Sequence, residues 1–282
     1  MPELPEVEVV RRGLLPLIGA EIEAVEVLDE RALRRHQPGA ADFEARLTGT
    51  VLGEPARRGK FLWVPLARRG QPEQHALLVH LGMSGQLLLD DEWRPHRHER
   101  VRIALGGRIL VFADQRTFGS LALDPLTGPA AIPSQVAHIA LDPLDPAFDL
   151  PAVVRRMRAR RTELKRALLD QSLVSGIGNI YADEALWAAR LHPRQPTATM
   201  SAQAARRVLE ESRHVMERAL AEGGTSFDAL YVNVNGQSGY FSRSLTAYGR
   251  DGEPCLRCGR ALVRETFTNR SSHFCPRCQR LR

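Results

Sequence analysis

The apolar positions of the first residues follow a helical period. Val7, Val10 and Leu14 fall on one face, and Pro16 ends the run, so a helix is expected from the residues after the amino terminus to about position 15. The pattern then shortens toward strands: Val25 and Val27, Phe61 to Val64, and Ala76 to Leu81 read as β. Val101-Arg102-Ile103-Ala104-Leu105 and Ile109-Leu110-Val111-Phe112 flank Gly106-Gly107, whose missing side chains permit the primed turn of a β-hairpin. Residues 1–131 are therefore expected to form an N-terminal domain of one helix plus antiparallel β structure. From 132 to 148 repeated Asp-Pro steps interrupt any regular element, which suggests a linker. Beyond it the period is helical again, over Val153 to Met157, Leu164 to Leu169, Ile180 to Ala189 and Ala202 to Ala221. These place a helical domain at 149–244, with a Gly-, Ser- and Asn-rich loop at 223–240, and leave 245–282 as a separate carboxy-terminal module.

Composition narrows the class. A chain of 282 residues with 43% hydrophobic content is long enough for two ordinary cores, so the expected class is α+β and multidomain. No apolar run is long enough to span a bilayer, and the acidic opening does not resemble a secretory signal, so a cytoplasmic protein that does not engage membranes is expected. A net charge of +6, carried by more arginine than lysine, points to an anionic partner bound through phosphate forks, with nucleic acid the leading candidate.

All four cysteines lie near the end, as Cys255-x-x-Cys258 and Cys275-x-x-Cys278 with sixteen residues between the pairs. Two such knuckles close a tetrahedral site with four sulfurs and no open position, the signature of one structural Zn(2+) per chain. Two disulfides are the competing reading, disfavoured in a reducing compartment. His273 is left out because four thiolates complete the site.

The chain opens Met1-Pro2-Glu3-Leu4-Pro5-Glu6. Removal of Met1 would leave Pro2 as a secondary amine that titrates near neutrality and forms a permanently charged iminium with a sugar carbon. Glu3 and Glu6 stand beside it as acid or base partners. The plainer alternative is a proline-started helix whose acids favour the positive end of its dipole.

Taken together, Pro2-Glu3-Leu4-Pro5-Glu6, Val174-Ser175-Gly176-Ile177-Gly178-Asn179-Ile180-Tyr181 and the four-cysteine ribbon resemble the formamidopyrimidine-DNA glycosylases over essentially the whole chain. The resemblance implies a β-sandwich as the first domain, a helix-two-turns-helix in the second and a zinc ribbon at the end. It implies a base-excision enzyme, working as a monomer on double-stranded DNA, that removes oxidised purines such as 8-oxoguanine and formamidopyrimidines. Such an enzyme also cleaves abasic sites by β,δ-elimination. Pro2 would be the nucleophile, Glu3 the acid at the sugar ring oxygen, Glu6 a supporting carboxylate, and Lys60 an aid to base release. Lys165, Asn179, Tyr248, Arg270 and His80 would contact the DNA backbone, with Lys165 also near the lesion pocket. Met83, Arg116 and Phe118 would fill the space left by the flipped nucleotide. The 223–240 loop would close over the flipped base. The glycines before Asn179 would let the backbone approach closely, and the amides that open the next helix would favour a phosphate.

Three other readings remain at this stage: a zinc-ribbon protein that binds damaged DNA without catalysis, a glycosylase of the same fold for oxidised pyrimidines, and a metal-dependent nuclease. Intact Pro2, Glu3 and Lys60 argue against the first, Leu4 and the Arg116/Phe118 pair against the second. The lack of an evident open Asp/Glu/His cluster argues against the third.

Overall fold

The computed structural model describes residues 2–68, 73–92, 94–224, 234 and 241–281. The first helix, α1 (Leu4–Leu14), starts one residue before Pro5 and runs into a short 3₁₀ turn, Leu15–Leu17, at Pro16. Two compact units follow from the contacts. One holds Pro2 and Glu6–His138, and the other holds Glu3–Pro5, Ile139–Gly224 and the chain from 241 onward.

In the first unit the chain runs through β1 (Ile22–Val27), α2 (Ala40–Leu47), β2 (Val51–Leu52), β3 (Ala56–Arg58), β4 (Phe61–Ala67), β5 (His75–His80), β6 (Gly85–Asp90), β7 (Glu99–Leu105), β8 (Arg108–Asp114), β9 (Ser120–Thr127) and β10 (Ile132–Pro133). One antiparallel sheet has the order β1-β7-β8-β6, and the other β10-β9-β5-β4-β2 with β3 also paired to β4. Alternation explains the layer between them. On β7, Val101, Ile103 and Leu105 are buried while Arg102 and Ala104 are not, and Leu62, Val64, Leu77 and Val79 of the other sheet join the same core. Val7, Val10 and Leu14 of α1 close that core together with Phe43 and Leu47 of α2. Gly106 and Gly107 both have positive φ, 53° and 85°, as the β7–β8 turn requires.

The segment read as a linker is not wholly irregular. Ile132–Pro133 pairs with β9, because Pro133 needs no ladder donor at the edge of its sheet. Farther on, Asp142 and Asp145 make turns, accepting from the backbone N–H groups of Leu144 and Ala147 two residues ahead.

The second unit contains α3 (Leu150–Ala159), α4 (Leu164–Leu169), α5 (Asn179–Ala189), α6 (Ala202–Ala221) and the hairpin β11 (Val263–Phe267) with β12 (Arg270–Phe274). Asp149 and Ser201 cap α3 and α6 by accepting from the N–H groups of Ala152 and Ala204. Helix α5 is buried on nearly every face, yet it carries Asp183 and Glu184 in the interior. Of the segment 225–240, only Val234 is described. It lies in the first unit's core, against Gly13, although the sequence reading placed that segment with the helical domain. The expected closing loop otherwise lies outside the described residues.

Candidate active site and nucleic-acid interface

Glu3 is buried in the second unit, and its carboxylate accepts from the backbone N–H groups of Gly178 at 2.6 Å, Ile180 at 2.9 Å and Tyr181 at 3.4 Å. Ile180 and Tyr181 lie in the first turn of α5, and Gly178, the residue before it, has no side chain with which to cap them. The glycines follow from this contact. A Cβ on Gly178 would stand 2.2 Å from the Glu3 carboxyl carbon, and one on Gly176, at φ +86°, would stand 2.4 Å from Leu4 Cδ1. The sequence reading gave these amides to a phosphate. The structure corrects it: the anion at this helix start is Glu3, and three of the amides are committed to it.

Pro2 and Glu6 are buried in the first unit. Glu8, in the second turn of α1, is bound by Arg11, Arg12 and Arg57. Burial raises its carboxyl, but the hydrogen bonds from Arg11 and Arg12 and the charges of Arg11 and Arg57 outweigh that and hold it at about 2.

Lys60 lies in the turn between β3 and β4, and His80 ends β5. The His80 ring packs on Phe61 at 4.8 Å, with the Arg35 guanidinium 5.3 Å above the same phenyl ring. His80 Nδ1 is buried without a hydrogen-bond partner. Burial, reinforced by the charges of Arg35, Arg34 and Lys60, pushes the imidazole down to about 4. A neutral histidine therefore sits within a positive field built by three cations, two of which, Arg34 and Arg35, the sequence did not single out. Met83 and Phe118 are exposed apolar side chains, and Arg116 stacks over Phe118 at 5.0 Å.

In the second unit Lys165 corrects its sequence assignment. It is fully buried, with Nζ donating to Asp183 Oδ1 at 2.5 Å and to the Ser271 carbonyl at 2.9 Å. Burial lowers its ammonium below the usual lysine range, against the opposing pull of Asp183 and Glu3. An ammonium so enclosed is a structural cation here and offers no surface to a phosphate. Asp183 also accepts from Ser272 Oγ at 2.9 Å and from the His273 N–H at 2.9 Å, with His273 Nδ1 at 3.2 Å. Its neighbour Glu184 accepts from the N–H groups of Thr246, Ala247 and Tyr248. Both acids were missed in the sequence, where the available signal was a charged pair inside an otherwise apolar helix. Asn179 hydrogen-bonds the Tyr248 phenol, which burial pushes up despite that bond, and the Asn179 Oδ1 is buried without a partner. Arg270 is exposed at the β11–β12 turn. It helps line a surface groove of about 600 Å³ with Arg160, Arg161 and Arg166.

The four cysteine sulfurs lie within 4.8 Å of one another. A tetrahedron of thiolates about 2.3 Å from zinc has edges of about 3.8 Å, so the cluster fits one ion. Cys258 and Cys275 stand 3.6 Å apart, well beyond a covalent S–S bond. Cys255, Cys258, Cys275 and Cys278 would hold the metal. His273 faces Asp183 instead, as its omission from the ligand set requires. Burial raises the Cys255 thiol, but the N–H group of Arg257, the neighbouring Cys275 thiol and the N–H group of Cys258 bring it down to about 7.

Three family descriptions match successive parts of the chain. The formamidopyrimidine-DNA glycosylase N-terminal domain covers residues 1–121, the H2TH domain of the same enzymes covers 139–229, and the zinc finger found in FPG and IleRS covers 252–281. The formamidopyrimidine-DNA glycosylase of Rhodococcus jostii is 57% identical over 284 residues, covering 99% of this chain and 96% of the relative. That of Leifsonia xyli is 55% identical, with both chains covered fully. Among solved structures, a complex between Lactococcus lactis Fpg and DNA containing an abasic site superposes with a TM-score of 0.86 at 29% identity, covering 99% of each chain. A Lactococcus lactis Fpg mutant with Fapy-dG-containing DNA gives the same TM-score at 30% identity, over 99% of this chain and all of the other. The fold and the zinc site define a zinc-finger DNA glycosylase of the H2TH class. The chain belongs to the formamidopyrimidine-DNA glycosylase family.

Proposed function

We propose that this protein excises oxidised purines, 8-oxoguanine and formamidopyrimidines, from double-stranded DNA and then cleaves the abasic strand by β,δ-elimination, in the cytoplasm and as a monomer. The observation that carries the reading is the fixed Glu3 carboxylate, one peptide bond from Pro2 and locked by the amides of α5. Once Met1 is removed, the Pro2 nitrogen attacks C1′ of the damaged nucleotide, and the C1′–N bond breaks as the base leaves with the proton that the Pro2 nitrogen gives up. Glu3, having taken up a proton from solvent, delivers it to the sugar ring oxygen, the ring opens, and C1′ becomes an iminium. That charge acidifies the C2′ hydrogens, so loss of a C2′ proton expels the 3′ phosphate. A second elimination expels the 5′ phosphate, and water hydrolyses the iminium to return the Pro2 amine.

Within this reading the positive field around His80, with Lys60, Arg34 and Arg35, receives a phosphodiester near the lesion. Arg270, Asn179 and Tyr248 hold backbone phosphates in the second unit. Met83, Arg116 and Phe118 enter the stack opposite the extruded nucleotide, Arg116 supplying hydrogen bonds to the orphaned base. The proposed domain limits are 1–131, 132–148, 149–244 and 245–282.

Product analysis on a duplex with one 8-oxoguanine opposite cytosine tests the proposal. The wild-type protein is expected to leave a one-nucleotide gap with phosphate at both ends, and Pro2→Gly to bind the duplex while cutting slowly. A gap with only one phosphorylated end, or excision confined to oxidised pyrimidines, would contradict it.

A further inference from the structure

We infer that Asp114, with Ser84 and Arg34, forms a clasp that presets the two loops carrying Met83, Arg116 and Phe118 before DNA arrives. The inference rests on the proposed role of that trio. Asp114 ends β8 and is buried, but it makes no ion pair among the described residues. Its carboxylate instead gathers polar groups from both loops. Oδ1 accepts from Ser84 Oγ at 2.6 Å and from the Arg116 N–H at 3.2 Å, and Oδ2 accepts from the Gly119 N–H at 2.7 Å. Ser84 Oγ also accepts from the Arg116 N–H, at 3.1 Å. One carboxylate thus ties the residue after Met83 to Arg116 and Gly119, which bracket Phe118.

Arg34 brackets the second loop from outside. Its Nη1 donates to the Thr117 carbonyl at 2.8 Å and its Nη2 to the Phe118 carbonyl. Thr117 has φ +53°, a left-handed conformation costly for a β-branched residue, which the two carbonyl contacts and the Asp114 bonds hold in place. The loops also nest without room to spare. Gly82 has φ +62°, and a Cβ there would stand 2.3 Å from the Phe118 carbonyl carbon. Asp114 is buried, Ser84 is half-buried, and the exposed Arg34 is turned onto two carbonyls of the loop, so all three act as positioning residues. Wedges held in one arrangement lose less freedom on entering the stack, and they enter only when the stack opens.

The carboxylate matters because it presents acceptors alone. In Asp114→Asn one of the two oxygens becomes an NH₂ that faces an N–H or O–H donor, and the clasp opens with little change in volume. Arg34→Lys keeps the positive charge near His80 but cannot span two successive carbonyls, so it separates positioning from attraction.

The test uses full-length zinc-loaded protein and a duplex with 8-oxoguanine opposite cytosine and 2-aminopurine beside that cytosine, whose fluorescence reports entry into the stack. A second duplex places 8-oxoguanine opposite an abasic site, where no paired base must be replaced. With the paired duplex, Asp114→Asn and Arg34→Lys are expected to slow the fluorescence rise and single-turnover excision by about tenfold. Ser84→Ala, the gentler change, should slow both by a smaller factor. Asp114→Asn and Ser84→Ala should excise from the unpaired duplex within about twofold of wild type, which a merely unfolded or weakened protein would not do, and Arg34→Lys should lose less on that duplex than on the paired one. Equal losses on both duplexes, or wild-type rates for all three variants on the paired one, would overturn the clasp. Phe118→Ala is the control. If it leaves the fluorescence unchanged, the wedge role itself fails and the clasp falls with it; if it abolishes the signal while the clasp variants do not alter it, the clasp alone is wrong.

Discussion

The strongest constraint at the scale of single residues is the meeting of Glu3 with the start of α5. A methyl group at position 178 would fall 2.2 Å from the Glu3 carboxyl carbon, so Gly178→Ala must displace either the acid or the helix start. Its expected cost is about 1–3 kcal/mol of stability, read by urea unfolding. The expected loss of excision rate is larger than that of Arg270→Ala measured at saturating enzyme, while zinc content stays unchanged. Two titrations bear on acid sensitivity. Burial places His80 at about 4, below its unfolded value near 6.5, so the unfolded chain takes the proton first and stability falls as pH drops through that interval. Glu8, held at about 2, contributes stability above about 4.5 that is lost as pH falls further. An NMR titration should find the His80 ring neutral at pH 6 and its midpoint raised by bound DNA, whose phosphate favours the charged ring. A midpoint near 6.5 in the free protein would contradict the burial argument.

Among elements, α5 does more than connect. Asp183 binds β12 and Lys165, Glu184 binds the 246–248 backbone, and the Trp187 and Ala188 carbonyls accept from Arg257. The ribbon is thus fastened along one helix. Asp183→Ala strands the buried Lys165 ammonium and is expected to cost about 3–5 kcal/mol in chemical unfolding. Lys165→Met, which leaves Asp183 its three donors from β12, should cost less, and the reverse order would refute the network as drawn. Much of this layer was legible beforehand where a period ran long enough. The expected limits of α4 and α6 coincide with the observed helices, and Gly106-Gly107 announced its hairpin. Helix α2 has only Phe43 and Leu47 to mark its face, β9 contains Pro125, and the ribbon strands are largely polar, so none showed a clear period. The proposed reactive pair could be named from sequence because Pro2 and Glu3 are adjacent. Asp114 and Asp183 were not, because their partners arrive from as far as 30 residues away for Asp114 (Ser84) and 90 for Asp183 (His273). Lys165 misled for a related reason: a cation in a basic protein suggests phosphate until burial shows its acid.

For the molecule as a whole, charge and metal are the testable properties. A net charge of +6 with exposed Arg116, Arg166 and Arg270 predicts DNA affinity that falls steeply with salt, and each phosphate contact removed should lower the log–log slope by about 0.9. Arg270→Ala is expected to show that reduction on lesion-containing and undamaged duplexes alike. Metal analysis should find one zinc per chain, and Cys275→Ser should lose both the metal and DNA affinity. The central claim concerns a covalent bond, and the chain simplifies its test. Lys60 and Lys165 are the only lysines, and Lys165 is buried, so Lys60 is the one accessible side-chain amine that can compete with Pro2. Borohydride trapping on the 8-oxoguanine duplex, followed by peptide mapping, is the most direct measurement. The account predicts an adduct on Pro2 that disappears in Pro2→Gly and in protein that retains Met1. An adduct mapped to Lys60, or none on either the lesion or an abasic-site duplex while binding persists, would contradict it.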